Sequence, residues 1–374
     1  MRITFVLPTV DMSGGARVVA IYAKALVARG HEVTLVSPPA AAMAVKRKVK
    51  SFLTGKGWPH DARRLPSHLD ESGLNHRVLE RWRPVHDADV PDADVVIATW
   101  WETAEWVSAL SPGKGAKVYF VQGHEVYSYL PVVRCHATYK FRMHKIVISR
   151  WLKDVMRTQY GDGAVDLVHN SVDRTQFFSA VRGKQAVPTV GFLYATGPIK
   201  GLEISFAALR IVRQRFPDLR LICFGTENPD VTLPLPEGAE FSLSPPQNQI
   251  RNLYSQCDVW ITASRTEGFN LPAMESMACR TPVVSTRTGW PEEAIESGKN
   301  GVLVDIDDVA GLARGVERIL SLGNEEWQAV SQRAYETASA GSWEESSRRF
   351  ENALVNACTR SRRGEIAGQC ASAL

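Results

Sequence analysis

Two Rossmann-like α/β domains, each built on a parallel sheet, are the fold that the sequence predicts. Three observations lead there. Short, near-continuous apolar strands alternate with helix-length segments, the pattern of parallel sheets covered on both faces. The alternation runs as two series, the second starting near residue 188. A chain of 374 residues, 44% hydrophobic and 22% charged, suits two soluble domains of ordinary size.

In the first series, residues 2–8 form an apolar strand, and Ser13-Gly14-Gly15 a turn. Ala16 to Arg29 is helical, with Val18, Val19, Tyr22 and Leu26 on one face. Gly30 ends that helix and residues 31–36 supply the next strand, completing a βαβ unit. Residues 94–99, 117–121 and 145–149 add β-branched strands. In the second series, strands at 189–194 and 219–224 flank a helix from Leu202 to Phe216. Further strands follow at 259–262, 282–285 and 301–304, then helices at 309–321, 325–338 and 343–358. The expected division is 1–174 for an N-terminal Rossmann-like domain and 175–340 for a C-terminal one, hinged near 172–188. Residues 341–358 form a closing helix that crosses back to the first domain, and 359–374 a disordered polar tail.

Charge is uneven. Residues 1–174 hold 24 Lys+Arg against 17 Asp+Glu, hence +7; the remainder holds 20 against 23, hence −3. All nine histidines fall in the first part. Such asymmetry fits two halves with different partners, or chance. The six cysteines are scattered, without CxxC, and read as reduced thiols of a cytoplasmic chain. The first strand has no cleavage site of a signal peptide, and no segment is long and apolar enough to span a bilayer.

Ligands of open parallel sheets bind at the carboxyl ends of strands. Gly14 and Gly15 sit there, opening a helix, where backbone N–H groups meet negative charge. The string is Ser-Gly-Gly-Ala rather than GxGxxG, so a nicotinamide fingerprint is poorly matched. The strongest signal is the segment from Ser264 to Glu275, which follows strand 259–262. Glu267 lies in its loop, Pro272 marks the first turn of a helix, and Glu275 stands about one turn inside. The N–H groups of Gly268, Phe269, Asn270 and Leu271 lead into the helix N-terminus, a site for a diphosphate. Carboxylates suit sugar hydroxyls because each accepts several hydrogen bonds. Two of them flanking an anion site, and sharing one cleft, fit a sugar nucleotide.

These residues match the Glu-x7-Glu signature, and the chain resembles the retaining glycosyltransferases of family four, which have the GT-B architecture: two Rossmann-like domains facing each other across a cleft. Also similar are the Gly-Gly loop, His169-Asn170-Ser171-Val172-Asp173 with Phe177, Ile199-Lys200-Gly201 before a helix, and Ser342-Trp343-Glu344. The resemblance implies transfer of a sugar from a nucleotide-diphosphate sugar to a glycan or lipid-linked acceptor with retention of configuration. It implies that Glu267 contacts the donor sugar, Glu275 the ribose and Lys200 the phosphates. Members usually carry an Arg a few residues before that Lys. Here Tyr194-Ala195-Thr196-Gly197-Pro198-Ile199-Lys200 has none, and Thr196 with backbone N–H groups is the expected replacement. This stretch and Tyr119 to Glu125 are similar to rhamnosyltransferase-like members. His124, after strand 117–121, corresponds to a histidine that the family often places near the transferred sugar. Glu125 beside it has a less defined role.

Three Asp-x-Asp strings, at 87–89, 92–94 and 305–307, invite a metal-dependent reading. The first two lie at the amino end of a strand, and the third before a helix, so no metal and no other cofactor is expected. Val45 to Leu53, with Lys56, Arg63 and Arg64, is basic with apolar residues interleaved. Residues 45–64 thus have the pattern of a peripheral membrane contact at an anionic surface, or of a solvated face. No nucleic-acid partner is expected. Trp100, Trp101 and Trp106 line an acceptor cleft or belong to the core. The competing functions are a GT-B nucleotide-sugar epimerase or hydrolase and a non-catalytic nucleotide-sugar-binding protein.

Overall fold

The computed structural model describes residues 1–41, 65–70 and 72–371. The basic stretch at 45–64 therefore lies outside the described residues. The chain divides into two compact units. Unit 1 comprises Met1–Ile148, Lys153–Val168 and the chain from Ser347; unit 2 comprises Ser149–Leu152 and His169–Ser346.

Unit 1 is built on β1 (Arg2–Val6), β2 (Glu32–Ser37), β3 (Asn75–Val78), β4 (Val95–Ala98), β5 (Ala116–Val121), β6 (His144–Val147) and β7 (Asp166–Leu167). Its helices are α1 (Gly14–Ala28), α2 (Trp101–Ala109), α3 (Val132–Thr138) and α4 (Arg150–Tyr160). The sheet order is β3-β2-β1-β4-β5-β6-β7, and every pairing is parallel. β1 and β5 are buried along almost their whole length, which is why their sequences are continuous rather than alternating. α1 lays Val18, Val19, Tyr22 and Leu26 on the sheet. Tyr22 stacks on Phe350, with ring centroids 4.4 Å apart.

Unit 2 is built on β8 (Thr189–Leu193), β9 (Arg220–Gly225), β10 (Ala239–Leu243), β11 (Val259–Thr262), β12 (Val283–Thr286) and β13 (Gly301–Val304). Its helices are α5 (Leu202–Arg215), α6 (Gln247–Ser255), α7 (Leu271–Ala278), α8 (Gly289–Ala294), α9 (Val309–Leu320) and α10 (Asn324–Ala338). α11 (Trp343–Arg362) closes the chain. The order β10-β9-β8-β11-β12-β13 is again all parallel. The core gathers Phe192, Leu209, Ile261, Leu312, Val316 and Trp327. Because the order reverses beside β8, the loops after β8 and β11 emerge side by side. That switch point is where doubly wound sheets bind ligands.

Two expectations are corrected. Residues 172–188, read as a hinge and split at 174/175, are tied to unit 2 from His169 onward. Lys184 Nζ donates to the carbonyls of Leu320 and Leu322 at 2.6 and 2.9 Å, and the Arg182 guanidinium lies over Trp327. The tail from Thr359, expected to be disordered, is ordered to residue 371. α11 runs to Arg362, Ile366 is buried, and the Ala367 amide donates to the Arg142 carbonyl at 2.8 Å while its own carbonyl accepts from Lys117. Backbone hydrogen bonds hold this segment, and its polar composition gave no sign of them.

Candidate active site

The switch-point loops of unit 2 bring Lys200 and Glu267 together. Lys200 ends a short 3-10 turn, Pro198–Lys200, and Gly201 follows with φ +58° as the N-cap of α5. A Cβ at Gly201 would run into the Ala263 carbonyl oxygen, so the two loops approach too closely for any other residue. Lys200 Nζ lies 2.7 Å from Glu267 Oε1, which also accepts from the Ser264 hydroxyl at 2.7 Å. The Ser264 carbonyl accepts in turn from Thr286 Oγ1 at 2.6 Å, fixing the loop to β12. The pocket here is lined by Lys200, Thr262, Ser264, Glu267, Asn270 and Pro272, among others.

Arg265 was not singled out from the sequence, yet it ties the loops to each other. Its amide donates to the Ile199 carbonyl and its guanidinium to the Pro198 carbonyl, both at 2.7 Å. The same guanidinium pairs with Glu203 at 2.6 Å and Asp307 at 2.8 Å. An arginine next to a motif carries no signal of such a clamp, because its partners lie 42 to 67 residues away.

α7 begins as its sequence suggests, with Pro272 in the first turn. Asn270 caps it from the left-handed region, φ 76°, accepting from the Ala273 amide at 3.4 Å and donating to Thr262 Oγ1 at 3.0 Å. Phe269 and Leu271 are buried and Gly268 partly so. The Phe269 ring stacks near Trp290 at 6.0 Å and lies 6.4 Å from His169. His169 in turn sits 2.8 Å from Glu293, which also accepts from the Arg150 amide.

The two glutamates occupy different surroundings. Glu267 lines the pocket, whereas the Glu275 side chain is buried and its carboxylate accepts from the Tyr254 hydroxyl at 3.0 Å. Glu267 fronts this pocket, and Glu275, whose carboxylate meets Tyr254 of α6, is not among the residues that line it. Thr196 is exposed after β8 and does not line the pocket with Lys200.

In unit 1, Gly14 opens α1 where an added Cβ would meet nothing within 4 Å, and Gly15 faces the Gln122 side chain. Neither has a positive φ, so backbone strain does not explain them. His124 follows β5 and is buried. Its Nε2 lies 2.7 Å from the Tyr160 hydroxyl, and burial, with His136 adding, pushes its pKa down to about 4. Glu125 is wholly enclosed. Its Oε2 accepts from the Trp101 amide at 2.8 Å, at the start of α2, and from the Tyr119 hydroxyl at 3.1 Å. Desolvation pushes that carboxyl up to about 8. Trp101 and Trp106 are core residues, and Trp100 is half-buried.

The Asp-x-Asp strings are engaged in structure. Asp89 pairs with Arg83, Asp87 accepts from the Ser111 amide, Asp92 pairs with Lys114, and Asp94 accepts from the Arg2 amide. Asp305 and Asp307 pair with Arg287 and Arg265. Among the described residues there is no group of three or more His, Cys, Asp or Glu side chains that could hold a metal ion, and no helix long and apolar enough to cross a membrane.

The chain is similar to known proteins in sequence over part of its length and in fold over nearly all of it. Residues 173–337 match the family described as glycosyl transferases group 1. D-inositol 3-phosphate glycosyltransferase of Corynebacterium urealyticum is 30% identical over 175 residues, 43% of this chain and 41% of that protein. The protein of the same name from Mycolicibacterium smegmatis is 30% identical over 199 residues, 48% and 44% respectively. The match thus spans about two fifths of the length of these curated relatives. Among solved structures, sucrose-phosphate synthase from Thermosynechococcus elongatus superposes with a TM-score of 0.70 at 15% identity, covering 95% of this chain and 98% of that one. Anabaena HepE in complex with UDP and glucose does so with a TM-score of 0.70 at 15% identity, covering 95% and 100%. The likeness extends over both sheets, which is the GT-B fold. Residues 173–337 are thus similar to glycosyl transferases group 1, in a chain whose fold is GT-B.

Proposed function

We propose that the chain is a glycosyltransferase that moves a sugar from a nucleotide-diphosphate sugar to an acceptor hydroxyl, with retention and without a metal. The donor is held by unit 2 and the acceptor, a glycan or lipid-linked sugar, by unit 1. The observation that carries the reading is the Lys200–Glu267 pair, held by Ser264 at the switch point of the second sheet. One cation and one carboxylate suit a ligand offering phosphate and hydroxyls together. That HepE was solved with UDP-glucose supports the donor class.

In the proposed reaction the bond from the sugar C1 to the diphosphate oxygen breaks, and the nucleoside diphosphate leaves with the electron pair. The acceptor oxygen bonds to C1 from the same face, and its proton passes to the leaving phosphate. Lys200 and the amides before α7 balance the departing charge, Glu267 orients sugar hydroxyls, and Glu275, already held by Tyr254, accepts from the ribose. Gly14 and Gly15 leave room for phosphate beside α1, and His124 orients the transferred sugar.

A thermal-shift panel of UDP, GDP, ADP and dTDP sugars tests this, since a ligand at 100 times its Kd stabilises by about 2.7 kcal/mol. One base should raise the melting temperature, and Lys200→Ala should abolish the shift. A panel without any shift, or a shift retained in Lys200→Ala, sinks the reading. Incubation of the active donor alone separates transfer from epimerisation, which converts the donor without an acceptor.

A further inference from the structure

Three side chains from separate elements of unit 1 meet at one hydroxyl. Tyr160, the last residue of α4, places its oxygen 2.7 Å from His124 Nε2 and 2.7 Å from His136 Nδ1 on α3. A neutral phenol has a single proton. It donates to one ring nitrogen and accepts from the other. If both histidines showed Tyr160 a lone pair, one contact would have no hydrogen; if both showed an N–H, the oxygen would accept twice and its own proton would meet neither ring. All three groups are satisfied at this junction when the two imidazoles present opposite faces.

We infer that Tyr160 is a positioning residue that couples the tautomer of His124 to the proton on His136. When His136 carries its proton on Nδ1, it donates to the Tyr160 oxygen. The hydroxyl then donates to His124 Nε2, and the His124 proton sits on Nδ1. When His136 presents a lone pair there, the relay reverses and His124 is protonated on Nε2. His136 is the half-exposed member and His124 the buried one, so solvent acts on the relay through His136. Burial keeps His124 neutral at ordinary pH, so what changes at His124 is the position of its proton rather than its charge.

Several other groups near the relay have partners of their own. From β5 and its following loop come Tyr119 and the enclosed Glu125; Tyr139, just after α3, accepts from the Glu125 amide at 2.8 Å and donates to the Gly123 carbonyl. Cys135 stands beside His136 on α3, its thiol pushed up to about 11 by burial. From α2, Glu105 is paired with Arg134, and Glu102 is raised by desolvation. The functional weight of this relay rests on the proposed role of His124 in orienting the sugar.

The test uses the full chain labelled with 15N-histidine, and two-bond 1H–15N spectra from pH 5 to 8. His124→Ala identifies the His124 signals by their loss. The wild type should show one dominant His124 tautomer. Tyr160→Phe should mix the tautomers, and His136→Ala, at the more exposed position, should do the same with the fold intact. Turnover of the donor that the thermal-shift panel selects should fall roughly tenfold in kcat for Tyr160→Phe with KM little changed, the lower end of the loss seen when the partner that orients a metal-ligating histidine is removed. His124 ring-nitrogen shifts in both variants that superpose on the wild type at every pH overturn the coupling. Wild-type turnover in His124→Ala instead overturns the catalytic role of His124, and leaves the spectroscopic result standing by itself.

Discussion

Replacing Glu125 by Gln should change how stability depends on pH. Glu125 is wholly enclosed between β5 and the start of α2, and its carboxyl is raised from 4.5 to about 8 by desolvation. In the unfolded chain the group releases its proton near the lower value. Between the two values the folded state therefore binds more protons, and stability falls as pH rises. The contribution is fully present below about pH 4.5 and lost by about pH 8, a total of about 5 kcal/mol for a shift of this size. From pH 5 to 7.5 it amounts to about 3 kcal/mol. Glutamine keeps an oxygen for the Trp101 amide and the Tyr119 hydroxyl but does not ionise. Calorimetry of both proteins from pH 5 to 8 isolates this contribution, since all other groups titrate alike. The melting temperature of the wild type should fall relative to Glu125→Gln by roughly 6–12 °C across that window, at about 2–4 °C per kcal/mol for a unit of this size. Parallel curves would refute the enclosed, neutral carboxyl.

Further outcomes follow from the unit 2 site. Gly201→Ala combines a left-handed φ with a collision against Ala263 and should destabilise by about 2 kcal/mol or more, read as a lower melting temperature. A wild-type melting temperature would contradict the close approach of the loops. Glu267→Gln should lower kcat, whereas Glu275→Ala should chiefly weaken nucleoside diphosphate binding; wild-type kinetics in both discards the assignment. EDTA should leave donor turnover unchanged, and a loss restored by Mg2+ or Mn2+ would contradict charge balance by Lys200 and backbone amides alone.

The sheets were legible because buried parallel strands leave an unbroken apolar imprint, as in Val259-Trp260-Ile261 and Ala116 to Val121. So was the loop bearing Glu267, where Pro272 announces the first turn of α7. What stayed hidden depends on contacts distant in sequence. Tyr160 lies 36 and 24 residues from the histidines it bridges, and no pattern in the intervening chain records that. Eight-residue spacing located Glu275 on a helix but not its Tyr254 partner, which decides its burial. The closing segment 363–371 is polar because its anchors are main-chain groups, which composition does not register. The boundary near 174 slipped because residues 182–185 are held by single side-chain bonds to unit 2 rather than by a strand or helix.

The Lys200–Glu267 pair of unit 2 is electrically self-neutralised, and at the proposed donor site that favours selectivity. A bare phosphate reaching Lys200 must compete with a carboxylate already 2.7 Å away, and would strand that carboxylate beside a second anion. A molecule that brings hydroxyl donors along with its phosphate satisfies both partners as they separate. On the proposed reading, inorganic anions are thereby disfavoured at a cavity that holds one lysine, and sugars bearing phosphate are favoured.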